Sequence, residues 1–170
     1  TELGYKNVTL VGWSGGGSLS LFYQSQAENP TITHTPASDP VDLTAAGLTP
    51  ADAAMFIAAH ISRAKTLTEW MDPSVLIEDR PDDRELALDL YDPDNPNQPP
   101  YDAAFLDRYR AAQVARNRRI TSWVHDTLDE LRARDDGEME RGFVVHRTMA
   151  DPRWLDPAVD PNDRRPKWCF

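Results

Sequence analysis

The chain has 170 residues, which is enough for one ordinary domain with a hydrophobic core. Hydrophobic residues make up 40% and charged residues 27%, a balance typical of globular proteins. Acidic residues outnumber basic ones by 28 to 18, and the net charge of −10 disfavours nucleic acids and anionic membrane surfaces as partners. The single cysteine, Cys169, excludes an internal disulfide and favours a reducing, cytoplasmic location.

Both ends of the chain have the character of interior sequence. The chain begins at Thr1 without a methionine and ends on the apolar residues Trp168 to Phe170. We therefore expect it to be an internal fragment of a longer protein, whose targeting segment is not visible. No apolar run approaches the roughly 18 residues that a membrane-spanning helix requires.

The first sixty residues predict a strand, a helix and a second strand. Residues 7–11 are short, apolar and β-branched, as in a buried strand of a parallel sheet. Residues 18–27 predict a helix that ends before Pro30, and residues 30–50 predict a loop. Residues 53–59 have the propensity of a helix, but the order of elements favours a second buried strand.

The remaining residues are mostly helical. Ser62 is expected to cap a short helix that runs to about residue 71, and the polar, proline-rich residues 78–100 predict a loop. Asp102 is expected to cap the longest helix, which runs to about residue 134. Residues 142–145 are a third candidate strand. The arginines of the long helix are expected to form a solvated face: Arg108, Arg110, Arg116, Arg118 and Arg119.

One motif carries chemistry. The run Gly12-Trp13-Ser14-Gly15-Gly16 matches the pattern Gly-x-Ser-x-Gly between a predicted strand and a predicted helix. The pattern requires a sharp turn that strains the serine backbone and exposes its hydroxyl. We expect Gly12 and Gly16 to lie where a Cβ would clash with the close crossing of strand and helix. The glycines do not fit a phosphate-binding loop, because the lysine of that motif is absent.

On these residues the chain resembles the α/β-hydrolase fold serine hydrolases. Residues 5–28 resemble the nucleophile strand, elbow and helix of that family, and residues 53–61 resemble its next strand. The resemblance implies an α/β fold with a partial parallel sheet and a mostly helical cap, or lid. The expected division is a partial core at 1–61 and a cap at 62–170, which returns to the core near 142–151.

The resemblance also implies an activity and its residues. The protein would cleave carboxylic ester or thioester bonds through an acyl group on Ser14, with the Gly15 amide as one oxyanion donor and with no cofactor or metal. Trp13 and His60 are candidate substrate-binding residues, although a structural role for His60 is the alternative. The family orders its triad as serine, acid, histidine. Asp151 is a candidate acid, and the alternative is an acid beyond residue 170.

None of the four histidines stands where the family has its base, and we expect the chain alone to have little activity. The aromatic residues of the predicted cap suggest a hydrophobic small-molecule substrate, or else they only pack the cap. A non-catalytic relative that binds a ligand or partner is an alternative function. An acyltransferase or a cofactor-free haloperoxidase would share the same motif. The histidines are His34, His60, His125 and His146, and the aromatics are Trp70, Tyr91, Tyr101, Phe105, Tyr109, Trp123 and Trp154.

Overall fold

The structure is a computed structural model that describes residues 4–134 and 136–156. The described part is mixed α/β, as expected, with a small parallel sheet. It divides into two compact units on either side of the bond between Thr66 and Leu67. Cys169 and the last part of the predicted cap lie outside the described residues. The strands and α-helices are β1 (Thr9–Trp13), α1 (Gly15–Glu28), β2 (Ala53–Ile57), α2 (Arg63–Trp70), β3 (Val75–Ile77), β4 (Arg80–Arg84) and α3 (Ala103–Arg134).

The first unit is built on the parallel pair of β1 and β2. Their register runs from Thr9 opposite Ala53 to Trp13 opposite Ile57. Parallel strands require a crossover connection, which α1 and the loop after it supply. Both predicted strands are confirmed, but the first lies further along the chain than residues 7–11 because its pairing with β2 continues up to Trp13.

The prediction that these strands are buried is wrong. Val11 is 59% exposed, and all five residues of β2 are exposed. Full burial of a parallel strand requires a layer on each face of the sheet. In the described unit α1 packs against both strands, and it does not enclose their apolar side chains on both faces.

The second unit is organised around α3. Asp102 caps this helix as predicted, because the Phe105 N–H donates to its Oδ1 at 2.7 Å. The hydrophobic core contains Phe105 and Tyr109 of α3 together with Leu88 and Leu90, and Tyr109 is completely buried. Two of the aromatic residues of the predicted cap, Phe105 and Tyr109, therefore pack inside the second unit itself.

Two predictions for the second unit are wrong. Residues 142–145 form no strand, since an apolar β-branched run requires a sheet edge to pair with. The antiparallel pair β3 and β4 falls partly within the predicted loop. The sequence of β4, Arg-Pro-Asp-Asp-Arg, has neither the alternation nor the residue types that indicate a strand.

The expected solvated arginine face of α3 is also wrong at Arg116, and Arg110 is only partly exposed because it pairs with Asp151. Arg116 is completely buried, and its Nε and Nη2 donate to the two carboxylate oxygens of Glu78 at 2.9 and 2.6 Å. It also donates to the backbone oxygens of Asp72 and His146. Arg116 lies on the same helical face as Tyr109, so its helical position directs it inwards. Arg118 is exposed, as expected.

A second arginine holds two further carboxylates. Arg147 donates to Asp72 at 2.5 Å and to Asp89 at 2.7 Å, and the side chains of both aspartates are at most 3% exposed. Burial alone would lower the pKa of Arg147, but the charges of Asp72 and Asp89 outweigh it, and the pKa is raised. We call the ion pairs of Arg116 with Glu78 and of Arg147 with Asp72 and Asp89 the arginine network.

Candidate functional site

Ser14 lies at an abrupt turn between β1 and α1. Its backbone has φ 52° and ψ −121°, which is unfavourable for a residue with a side chain and costs about 1–3 kcal/mol. Three backbone hydrogen bonds hold the turn: the Ser14 N–H donates to Ile57 O at 3.0 Å, and Ser14 O accepts from His60 N–H at 2.9 Å and Gly17 N–H at 3.2 Å. The strained serine expected from the motif is therefore confirmed.

The Ser14 side chain is half-buried and is not used to cap the helix. Ser14 is the N-cap residue of α1, yet its hydroxyl makes no capping hydrogen bond. A serine at this position normally accepts a hydrogen bond from the first turn. Gly15 is the first residue of α1, so its N–H has no acceptor within the helix. A hydroxyl and a backbone donor therefore lie on consecutive residues.

The glycines in and after the motif differ in how much space there is for a Cβ. A Cβ on Gly12 would lie 2.7 Å from both Gly16 O and Gly17 Cα, so the expected close crossing is confirmed there. The expectation for Gly16 is wrong, because a Cβ on it would meet nothing within 4 Å. Gly17 makes the second close approach, since its Cβ would lie 2.3 Å from that of Ala59.

The two candidate pocket residues of the first unit both lie beside the turn. Trp13 is the last residue of β1 and is 72% exposed. His60 is half-buried, and its backbone N–H donates to the Ser14 carbonyl. This contact shows how the segment after β2 supports the turn. That either side chain binds a substrate stays a prediction.

Asp151, the candidate triad acid, lies in the second unit within a cluster of arginines. Its buried carboxylate accepts from Arg110 Nη2 at 2.9 Å and from Arg153 Nε at 3.0 Å. Burial alone would raise the pKa of Asp151, but the hydrogen bonds from Arg153 and the charge of Arg110 outweigh it, and the pKa is lowered. These contacts describe a structural carboxylate, and the role in a triad stays a prediction.

Sequence reasoning missed Arg63 at the start of α2. A Cβ built on Gly15 would lie 2.3 Å from Arg63 Nη1 and 3.2 Å from its Cζ, so the guanidinium lies directly against Gly15. A signal for this was present. The carboxyl ends of neighbouring parallel strands meet at one sheet edge, and the residues after β2 are therefore expected beside Ser14.

The second unit contains an apolar groove of about 590 Å³. Trp123 and Phe143 form one wall, with their ring centroids 4.8 Å apart. Leu76 and Ile77 of β3 contribute to the lining. Some aromatic residues of this unit thus fill its core, and Trp123 lines an open groove; that the aromatic residues bind a substrate stays a prediction.

Comparison with protein-family models, with curated proteins and with solved structures gave no match. Within residues 4–134 and 136–156, no cluster of three or more His, Cys, Asp or Glu side chains is arranged to bind a metal ion. The helices of the same described residues include none with the length and apolarity to cross a membrane.

Proposed function

We propose that this protein is a serine hydrolase of the α/β-hydrolase type that cleaves carboxylic ester or thioester bonds through an acyl group on Ser14. The observation that carries the proposal is the strained serine at the end of a parallel strand, with φ 52° and a hydroxyl that does not cap the following helix. A purely structural N-cap serine would have relaxed dihedral angles and a capping hydrogen bond. Strain without that compensation is characteristic of functional positions.

In the proposed reaction, Ser14 Oγ attacks the carbonyl carbon of the ester while a general base accepts the hydroxyl proton. The carbonyl oxygen becomes an oxyanion, and the Gly15 N–H donates to it. The alcohol or thiol leaves with a proton when the tetrahedral intermediate collapses. Water then attacks the acyl carbon and gives a proton to the base, the bond between that carbon and Ser14 Oγ breaks, and the carboxylic acid leaves while Ser14 regains its proton. The base and the second oxyanion donor are not assigned to residues.

The neighbours of Ser14 support the same chemistry. Close packing at Gly12 and Gly17 brings α1 against the sheet, and this fixes Gly15 relative to Ser14. Preorganised donors stabilise a transition state because no reorganisation is required during the reaction. The exposed Trp13 next to Ser14 would offer an apolar surface to the acyl or alcohol part of a substrate.

The test is labelling of the protein, at its natural length, with a fluorophosphonate, followed by digestion and mass spectrometry. We expect the adduct on Ser14 and its loss in Ser14→Ala. Ser18→Ala is the matched control, because Ser18 lies one turn along α1 and its Oγ donates to Gly15 O at 3.1 Å. A folded protein that is neither labelled nor able to hydrolyse p-nitrophenyl butyrate would contradict the proposal and favour a ligand-binding relative.

A further inference from the structure

We propose that Arg63 makes the site at Ser14 selective for substrates that carry a carboxylate or another anionic group close to the reacting carbonyl. This inference rests on the proposed function and names its substrate class. Arg63 is the first residue of α2 and follows the segment after β2 that supports the turn. It would act as a binding residue for the non-reacting end of the substrate.

The first step of the argument is proximity. Arg63 Nη1, Cζ and Cδ would lie 2.3, 3.2 and 3.3 Å from a Cβ on Gly15, so the side chain covers the residue that follows Ser14. Because Gly15 has no side chain, the guanidinium occupies the space that a Cβ would otherwise take. A positive charge therefore lies against the backbone of the proposed oxyanion donor.

The second step is whether other side chains pair with the Arg63 guanidinium. No hydrogen bond or ion pair engages the Arg63 guanidinium among the described residues. Arg116 and Arg147, by contrast, are held by carboxylates in the arginine network. A planar guanidinium with free donors matches the geometry of a carboxylate or phosphate group and binds it through two parallel hydrogen bonds. In a chain of net charge −10, a cation that lies beside a strained serine and pairs with none of the residues the structure describes points to an anionic ligand.

The test compares two amides that differ at the end far from the carbonyl, where succinamate has a carboxylate and butyramide has a methyl group. Succinamate and butyramide have four-carbon acyl chains and are not activated esters, so their binding can be measured by calorimetry without turnover. We expect wild type to bind succinamate about tenfold more tightly than butyramide, the scale of charge-assisted hydrogen bonds. Arg63→Gln is expected to remove this preference, and Arg63→Lys to retain part of it, because lysine keeps the charge without the planar fork.

The matched control is Lys65→Gln, which removes the same charge from an exposed residue two positions further along α2. Residues two apart do not share a helix face, so Lys65→Gln should keep the preference. An equal loss in both variants would show a general field effect and overturn the proposal, as would equal affinities for succinamate in wild type and Arg63→Gln.

Kinetics with mono-p-nitrophenyl succinate and p-nitrophenyl butyrate separate this inference from the proposed function. We expect Arg63→Gln to raise KM for the succinate ester alone. If Ser14 is labelled but Arg63→Gln slows both esters equally, the arginine acts on the oxyanion and the selectivity proposal fails. If Ser14 is not labelled, the function fails, and the binding comparison still decides whether Arg63 selects an anion.

Discussion

The two units of this protein differ in how they hold their arginine side chains. Around Ser14 the strands expose apolar side chains such as Val11 and Met55, and the nearby Arg63 is unpaired among the described residues. In the second unit arginine and carboxylate side chains are buried together along one face of α3. A reactive group requires access, whereas a buried charge requires partners on every side. The comparison therefore sets the residues of the proposed site against residues that hold the second unit together.

The largest expected effect tests whether the buried arginines stabilise the second unit. Replacing Arg116 with Met leaves the Glu78 carboxylate and two backbone oxygens without their donors. Removal of one partner from a buried ion pair costs about 3–5 kcal/mol. We expect a loss at the lower end, about 3 kcal/mol, because the Glu78 side chain is 28% exposed. Urea unfolding followed by tryptophan fluorescence measures it.

Arg118→Met is the control for this experiment, since it removes the same charge from an exposed position on the same helix. We expect its free energy of unfolding to stay within about 0.5 kcal/mol of wild type. Equal losses in the two variants would mean that burial of Arg116 contributes nothing beyond net charge, and the contrast between the units would disappear.

A smaller effect concerns the turn in the first unit. Gly17→Ala would place a Cβ 2.3 Å from that of Ala59, and overpacking of this kind costs about 1–3 kcal/mol. Gly16→Ala would meet nothing within 4 Å, and alanine in a helix is favoured over glycine by about 0.8–1 kcal/mol. The two neighbouring substitutions should therefore change stability in opposite directions.

The stability of these two variants is measured by hydrogen exchange of the amides of β1 and β2, because this exchange reports the opening of the first unit by itself. We expect faster exchange in Gly17→Ala and exchange as slow as wild type, or slower, in Gly16→Ala. If Gly16→Ala were the more damaging variant, the helix would have to cross the strand at Gly16, as the sequence motif suggested.

The sequence predicted the first unit better than the second, and the reason is the range of the interactions. The glycine motif that announces the turn at Ser14 is a run of adjacent residues, although the turn itself is also held by Ile57 and His60. Ser62 and Asp102 cap their helices through contacts three residues away. The pairing of Glu78 with Arg116 spans 38 positions, and that of Asp72 with Arg147 spans 75. No local pattern distinguishes such a buried arginine from a solvated one.

Long-range contacts also limited what the sequence could predict about the candidate site. The motif located Ser14, Gly15 and the close approach at Gly12, but it assigned the second close approach to Gly16 instead of Gly17. Which helical glycine faces the segment after β2 depends on how the helix packs against it. Arg63 was missed because it is far from Gly15 in the sequence. The two residues come into contact only because β1 and β2 pair in parallel.

The smallest expected effect is the pH dependence of the stability that the Asp151 carboxylate contributes to the second unit. The pKa of Asp151 in the folded protein is lowered from its ordinary 3.8, since hydrogen bonds from Arg153 and the charge of Arg110 outweigh the effect of burial. A lowered folded pKa contributes stability above the unfolded pKa, and this contribution is lost as pH falls through the folded value.

Thermal unfolding between pH 6 and pH 2.5 tests this for wild type and Asp151→Asn. We expect the variant to be less stable at pH 6. The difference between the two melting temperatures should shrink progressively as pH falls below the unfolded pKa of about 3.9, because the folded wild-type carboxylate takes up its proton only as pH falls through its lowered pKa. A difference that stays constant across this range would mean that the charge of Asp151 contributes nothing and that its value lies in hydrogen-bond geometry alone. A carboxylate that two arginines keep ionised for stability is a poor candidate for a triad acid, so a clear pH-dependent difference would direct the search for that acid away from the second unit's arginine cluster.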